Sequence, residues 1–288
     1  MAPVYAPAYA KVNLSLDVCG RREDGYHLLK TVMQEISLKD DLWAEPWDEI
    51  KICCQKADLP LDKNNIIYKV AKAFFAHTGL RDQGIKFTLD KQIPSGAGLG
   101  GGSADGVAAL RLLDQLFATR LTEEEMVRIV APIGADLPFF VYGGTTLCEG
   151  IGERVTPLSP LQKGAFLLVK PPIFMSTPKI FGILDSVAQP DHPDVEAMIA
   201  AVGREDLAAI GRQMGNSLQS AGVEEYDFIL PLRDRLMESG ALGAMLSGSG
   251  STVYGMFETE EKARIAAQQF AGENLFCGVF VPISSKSE

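Results

Sequence analysis

Fourteen residues hold six glycines in the run Ile93-Pro94-Ser95-Gly96-Ala97-Gly98-Leu99-Gly100-Gly101-Gly102-Ser103-Ala104-Asp105-Gly106, and this stretch constrains the chain more than any other. Immediately before it, Ile85, Phe87 and Leu89 alternate with Lys86, Thr88 and Asp90, the period of a strand with one buried face. Immediately after it, Val107, Leu110, Leu113 and Phe117 recur at helical spacing, with Arg111 and Asp114 on the opposite face. The glycines therefore lead from a strand into the first turn of a helix, where backbone N–H groups lack internal partners and the helix dipole is positive. That arrangement suits an anion. A plain flexible turn is the competing reading, but a strand and a helix this regular need only a few linking residues. So many glycines also cost folding entropy that a bound ligand would offset. Gly96-x-Gly98-x-x-Gly101 formally matches a dinucleotide-binding turn, yet about 20 residues on the chain opens a helix at Leu121-Thr122-Glu123-Glu124-Glu125 instead of ending a second strand on an acid. No Gly-Lys-Ser/Thr follows, so the Walker pattern fails too.

The length of 288 residues suits two ordinary domains, and 47% hydrophobic with 22% charged residues is a globular composition. A net charge of −10 argues against a nucleic-acid partner. A small anionic ligand would need local compensation from a helix N-terminus, a lysine and a divalent cation. Apolar stretches fall short of a membrane span, and the start of the chain lacks a basic signal region, so a cytoplasmic location is expected. Cys19, Cys53, Cys54, Cys148 and Cys277 include no C-x-x-C pair and are expected to be reduced. With His27, His77 and His192 far from one another and from the cysteines, no structural metal site is expected.

Strict alternation from Lys11 to Val18 predicts a strand with Val12, Leu14, Leu16 and Val18 inward. On its polar face Ser15 and Asp17 read as solvated, while Lys11 and Asn13 remain candidates for a site. A polar turn over residues 19–25 leads to Tyr26 and His27, where a surface or capping role is the simplest account of the histidine. Strands are expected at Thr31 to Leu38 and Asp48 to Gln55, separated by an acidic turn containing Trp43 and Trp47. Asn64-Asn65 precede a helix from Ile66 and read as its cap. Thr122 and Glu125 form a capping box for the next helix. Asp136, among apolar residues in Gly134-Ala135-Asp136-Leu137-Pro138-Phe139-Phe140, reads either as the cap of a helix beginning at Leu137 or as a carboxylate placed for proton abstraction or metal contact. Glycines 143, 144, 150 and 152 loosen the chain, and a domain boundary is expected near residue 155, dividing 1–155 from 156–288. The second half interleaves strands at 165–169, 241–246, 252–257 and 276–282 with helices at 176 onward, 195–202, 207–214, 228–238 and 260–270. Proline is expected first in the helix after Ser176. Ser247-Gly248-Ser249-Gly250-Ser251 is a tight loop between two of the strands, in a split α+β pattern.

Several separated segments resemble one family. Pro94-x-x-x-Gly98-Leu99-Gly100 with its glycine and serine tail resembles the ATP-binding motif of the GHMP small-molecule kinases, and Ser247-Gly248-Ser249-Gly250 resembles their third motif. Ala10-Lys11-Val12-Asn13-Leu14, Asp24-Gly25-Tyr26-His27 and Gly134 to Phe140 look like the branch that phosphorylates a cytidine-diphosphate-linked methylerythritol in the non-mevalonate isoprenoid pathway. The likeness spans nearly the whole chain. It implies an α+β, two-domain fold: an N-terminal ATP-binding domain of the ribosomal protein S5 domain 2-like type and a C-terminal ferredoxin-like, substrate-binding domain. It also implies ATP as phosphoryl donor, Mg2+, and a small-molecule acceptor. On this resemblance Asp136 is the catalytic base, Lys11 its partner and Asn13 a neighbour of the substrate. Tyr26 and His27 stack on and hydrogen-bond the cytosine, with Phe181 as the opposing stack. Asn65 contacts adenine, and Pro94, Gly96, Ala97, Gly98, Leu99, Gly100, Gly101, Gly102 and Ser103 hold the triphosphate. Two departures leave the magnesium ligands open. Gly101 and Gly102 stand between Gly-Leu-Gly and Ser103, where the wider family commonly has serines, and Ala104 replaces a second serine. A homoserine or mevalonate kinase of the same family has no use for the cytosine clamp, and a non-catalytic nucleotide-binding regulator is disfavoured by the presence of both Lys11 and Asp136.

Overall fold

Alternating apolar residues at both ends of the first hairpin produce two unusually long strands, β1 (Val4–Arg21) and β2 (His27–Trp47). The computed structural model describes residues 2–56, 59–81 and 83–284. Their packing forms two compact units, each assembled from separated pieces: Met1–Ala10, Leu38–Ser95 and Gly100–Tyr142 in the first, and Lys11–Ser37, Gly96–Leu99 and Gly143–Glu288 in the second. Each long strand contributes residues to both.

In the first unit, the far half of β2 pairs antiparallel with β4 (Gly84–Asp90), Asp41 opposite Asp90 and Trp47 opposite Gly84, and β3 (Lys51–Cys54) adds to β4 in parallel. The acidic turn expected around Trp43 and Trp47 is strand instead. Its acids are partnered across the sheet: Glu45 lies opposite Lys86 and accepts from its ammonium at 2.8 Å, and Asp41 accepts from the Tyr5 hydroxyl on β1, while Lys39 on its own strand also donates to it at 2.7 Å. The turn falls after Trp47, shortening the next strand to residues 51–54. Four helices belong to this unit, α1 (Ile66–Thr78) between β3 and β4 and then α2 (Gly101–Phe117), α3 (Glu123–Val130) and α4 (Leu137–Tyr142). Asn65 caps α1 by accepting from the Ile67 N–H, and Thr122 with Glu125 closes the expected capping box on α3. Phe74, Phe87 and Phe139 are fully buried in this unit's core.

The second unit contains a hairpin, β5 (Thr145–Gly150) with β6 (Arg154–Pro157), laid antiparallel on β2 from Leu29 to Gln34. Glycines at 143, 144, 150 and 152 read as loosened chain, but here they bound two short strands. Then come β7 (Ala165–Lys170), α5 (Thr177–Leu184), α6 (Val195–Gly203) and α7 (Leu207–Gln213). Proline stands second in α5, after Thr177. The two-residue β8 (Gly215–Asn216), a 3-10 turn over Ser217–Ala221 and α8 (Tyr226–Glu238) precede β9 (Gly243–Leu246), β10 (Val253–Phe257), α9 (Glu260–Ala267) and β11 (Phe276–Phe280). The four strands β11-β7-β10-β9 form an antiparallel sheet in the split ferredoxin-like order. Every residue from Ala165 to Val169 is wholly buried, which explains why β7 reads as an unbroken apolar run. Tyr226, Leu232 and Leu236 of α8 and Ala263 and Ala266 of α9 share one core with Leu167, Val169, Leu246 and, from β1, Leu16 and Val18. The polar face of β1 is not solvated as expected at Ser15, which is fully buried, because β8 runs parallel beside it with Ser15 opposite Gly215. No described helix is long and apolar enough to cross a membrane.

Candidate active site

In the second unit, the residues Gly96–Leu99 are anchored by what lies between the glycines. Ala97 and Leu99 are buried, and their carbonyls accept from the N–H groups of Thr252 at 3.3 Å and Lys11 at 3.0 Å. The Gly98 carbonyl accepts from the Ser247 hydroxyl at 2.8 Å. Gly96, Gly98 and Gly100 have φ of 60°, 75° and 70°, the left-handed conformation that recurs in backbone loops that bind anions. At Gly98 a Cβ would stand 2.0 Å from the Ser247 carbonyl oxygen, so only glycine lets the two loops approach this closely.

Lys11 leaves the strand beside this junction. It is 3% exposed, its ammonium donates to Asn13 Oδ1 at 2.8 Å, and it lies 3.4 Å from where a Gly248 Cβ would be. Asn13 donates from Nδ2 to the Thr31 hydroxyl at 2.9 Å, and Thr31 donates on to the Ser15 carbonyl at 2.6 Å. That chain fixes which end of the Asn13 amide meets the lysine. Tyr254 donates its hydroxyl to the Asn13 carbonyl and holds the backbone there.

His27 and Phe181, expected on opposite sides of a base, here pack directly on each other, with ring centroids 4.7 Å apart and planes 31° from parallel. Tyr26, 60% exposed, stands next to His27 in sequence at the hairpin tip. His27 is not a loose surface residue: Nε2 lies 2.7 Å from Asp185 Oδ1, and Arg21 reaches the other oxygen at 3.0 Å. Since a carboxylate accepts, Nε2 donates, and a neutral ring keeps Nδ1 as an acceptor.

The first unit holds the remaining expected residues. Asp136 is half-buried in the turn that opens α4, a helix whose other end is fixed by Arg111 donating to the carbonyls of Phe140 at 2.9 Å and Val141 at 3.1 Å. Pro94 and Ser103 are half-buried, and α2 begins at Gly101 behind Gly100 with no side-chain cap, at an end where helix N–H groups lack intrahelical partners. A cleft of about 710 Å³ lies just upstream in the chain, lined by Ile52, Cys53, Leu61, Leu89 and Gln92 among others. Asn65 accepts with Oδ1 from the Ile67 N–H at 2.9 Å and donates with Nδ2 to the Pro60 carbonyl at 2.7 Å.

Two segments match models of known domains: residues 65–144 match the GHMP kinases N terminal domain and residues 198–275 the GHMP kinases C terminal domain. A 4-diphosphocytidyl-2-C-methyl-D-erythritol kinase of Clostridium kluyveri is 39% identical over 259 residues, covering 90% of this chain and 92% of that one. The chain belongs to the 4-diphosphocytidyl-2-C-methyl-D-erythritol kinases of the GHMP kinase family. A crystal structure of a 4-(cytidine 5'-diphospho)-2C-methyl-D-erythritol kinase superposes with a TM-score of 0.80 at 31% identity, covering 96% of this chain and 99% of that one. The homoserine kinase of Cytophaga hutchinsonii, at 20% identity and a TM-score of 0.75 over 99% and 95% of the two chains, shares the fold.

For a member of the 4-diphosphocytidyl-2-C-methyl-D-erythritol kinases, sequence reasoning missed three things that the structure supplies. Asp185 closes α5 and looks like an ordinary helix-end acid, but it is the partner of His27. Asn216, in a two-residue strand with no periodicity, donates to the carbonyls of Leu246 at 3.0 Å and Gly248 at 2.8 Å and so shapes the second loop. Asp105 carried a usable signal, a carboxylate among the small buried residues opening an amphipathic helix.

Proposed function

We propose that this kinase transfers the γ-phosphoryl group of ATP to the 2-hydroxyl of 4-diphosphocytidyl-2-C-methyl-D-erythritol, in the non-mevalonate route to isoprenoids. The observation that carries the reading is the glycine loop: three left-handed glycines, one of them locked against Ser247, with the buried ammonium of Lys11 at the same junction. Phosphoryl transfer asks a protein mainly to position groups and stabilise charge on phosphate oxygens, and N–H donors with one fixed cation answer that demand. Gly96 to Ser103 are assigned to the triphosphate, with Pro94 setting the entry to the loop. The cleft beside Gln92 and the second lone pair and second amide hydrogen of Asn65 are assigned to the adenosine end.

In the reaction the acceptor oxygen bonds to the γ-phosphorus as the bond to the β-phosphate oxygen breaks and ADP leaves. Asp136 takes the hydroxyl proton, Lys11 offsets charge on the reacting oxygens, and Asn13 orients the substrate. Tyr26, His27 and Phe181 hold the cytosine. With Nε2 committed to Asp185, the Nδ1 acceptor of His27 matches the exocyclic amine of cytosine and not the carbonyl that uracil carries there. Mg2+ is assigned to the ATP phosphates and not to a cage of its own: among the described residues no group of three or more His, Cys, Asp or Glu could hold a metal, and Mg2+ commonly keeps water and phosphate oxygens. It would neutralise charge on the transferring group. The functional division proposed is 1–155 for ATP binding and 156–288 as the C-terminal, substrate-binding part, consistent with the two matched segments.

ADP release tests the reading, with the cytidyl substrate, its uridyl analogue, mevalonate and homoserine offered side by side. The cytidyl compound is expected to be preferred over all three. Preference for mevalonate or homoserine overturns the substrate, and release from none favours a nucleotide-binding regulator. Asp136→Ala is expected to bind ATP and substrate while losing about 100- to 10,000-fold in turnover. Near-normal turnover removes Asp136 from the role of base.

A further inference from the structure

Three charged side chains that take no part in the chemistry above lie buried together in the unit that carries α2. Lys91, 4% exposed, directs its ammonium to Asp40 on β2 and, at 2.7 Å, to Oδ2 of Asp105 in α2. Asp40 is wholly buried, and its second oxygen accepts from the backbone N–H groups of Gln92 at 2.5 Å and Ile93 at 2.7 Å. A Cβ on Gly101 would stand 2.9 Å from the Lys91 ammonium and 2.9 Å from Ile93 Cγ2, so the cation sits directly against the first residue of α2. Oδ1 of Asp105 is buried with no hydrogen-bond partner.

A buried ionic trio is a poor way to stabilise a core, since well-packed apolar side chains often do as well or better. Its place suggests another use. The N–H groups of Gly101 and Gly102 open a helix that has no side-chain cap, an end that favours an anion. A carboxylate only four residues beyond Gly101 would oppose an anion there unless it were neutralised and held away. Lys91 pairs with that carboxylate and, shared with Asp40, offsets part of the trio's negative charge, and Asp40 pins the two residues that lead toward Pro94 and the loop.

We propose that Lys91, with Asp40 and Asp105, is a positioning group for the phosphates of ATP: it sets the first turn of α2 and the chain entering the glycine loop, and it screens Asp105 from the bound nucleotide. This rests on the reading of the loop as an ATP site. Burial pushes the Asp105 carboxyl up to about 7, with Lys91 opposing the rise and Asp40 adding to it, and these two are the charged groups that face it. Above that pH the cluster gains a negative charge behind the phosphates.

Calorimetric titration of the full chain with ATP and Mg2+ provides the test. Wild type is titrated first; a wild type that does not bind overturns the ATP reading and the proposed role with it, whereas a wild type that binds isolates the inference. Lys91→Met is expected to weaken ATP by about tenfold or more, with the KM for the alcohol substrate little changed. Because that variant leaves two buried carboxylates facing each other, Lys91→Met/Asp105→Asn is measured beside it with the same expectation. Wild-type ATP affinity in either folded variant overturns the positioning role. Asp105→Asn alone keeps an acceptor for Lys91 and removes the titration. Wild type is expected to lose ATP affinity between about pH 6 and pH 8.5, and this variant to flatten that fall. Identical profiles overturn the screening role, and this comparison decides the matter if neither Lys91 variant folds.

Discussion

A buried side chain in this protein is informative in proportion to what it leaves unmet. Asp105 has one oxygen on Lys91 and the other on nothing, so burial holds its carboxyl near 7 against an ordinary value of 3.8. Between those two values the folded state keeps a proton that the unfolded chain has lost. Stability therefore falls as pH rises through that window and levels off above it. Urea midpoints of wild type and Asp105→Asn at about pH 4.5, 6 and 7.5 are expected to diverge, wild type declining and the variant, which binds no proton at this position, declining less. Parallel slopes would show that Asp105 titrates as an ordinary carboxylate. Asn216 is the opposite case: its amide donates twice and its Oδ1 accepts from the Leu218 N–H at 2.9 Å, leaving little unmet, and its work is to fix a loop. The sequence singled out Lys11 and Asn13 by their place on the polar face of a strand. It did not single out Lys91, a lone lysine between a strand and a loop, whose partners lie 51 residues before it and 14 after.

At the scale of elements, the pairing of two loops matters more than either loop. Gly98 and Ser247 are 149 residues apart in the chain, and their contact is close enough that a methyl group cannot enter. Gly98→Ala thus carries the left-handed backbone penalty, roughly 1–2 kcal/mol, and in addition must push the Ser247 carbonyl aside. Gly272 supplies the control, since it has φ of 80° with no atom within 4 Å of a Cβ. Gly98→Ala is expected to lose clearly more stability than Gly272→Ala in denaturant unfolding and to lose ATP binding, which Gly272→Ala keeps. Equal losses would mean that backbone conformation alone accounts for the glycine. Local signals predicted elements well where one helix turn or one strand face contained the whole cause, as in the capping box of Thr122 and Glu125. They failed along β2, where Asp40, Asp41 and Glu45 resemble a turn until their partners Lys91, Tyr5 and Lys86 on other segments are known.

For the whole molecule, order along the chain and order in packing differ. A cut near residue 155 separates the two matched family segments, but the second compact unit also draws Lys11–Ser37 and Gly96–Leu99 from the first half. Leu16 and Val18 belong to the same core as β7 and α8, β8 pairs with β1, and Tyr254 bonds to Asn13. Residues 156–288 made alone are therefore expected to lack a cooperative unfolding transition, because the core loses one wall. A sharp two-state transition in that fragment, followed by circular dichroism, would show that the C-terminal part is a folding unit after all.

By itself the sequence determined most of the regular elements, though not the far half of β2 or the β5–β6 hairpin, together with the glycine-rich loop and, through its motifs, the family. Those depend on backbone periods of two and 3.6 residues and on turns a few residues long, which neighbours along the chain decide. Only the tertiary structure decided that Ser247 closes on Gly98, that Asp185 commits one nitrogen of His27, and that Lys91 lies under the first turn of α2. Such meetings close long loops, and their free energy comes from burial and pairing with distant residues that no local window contains.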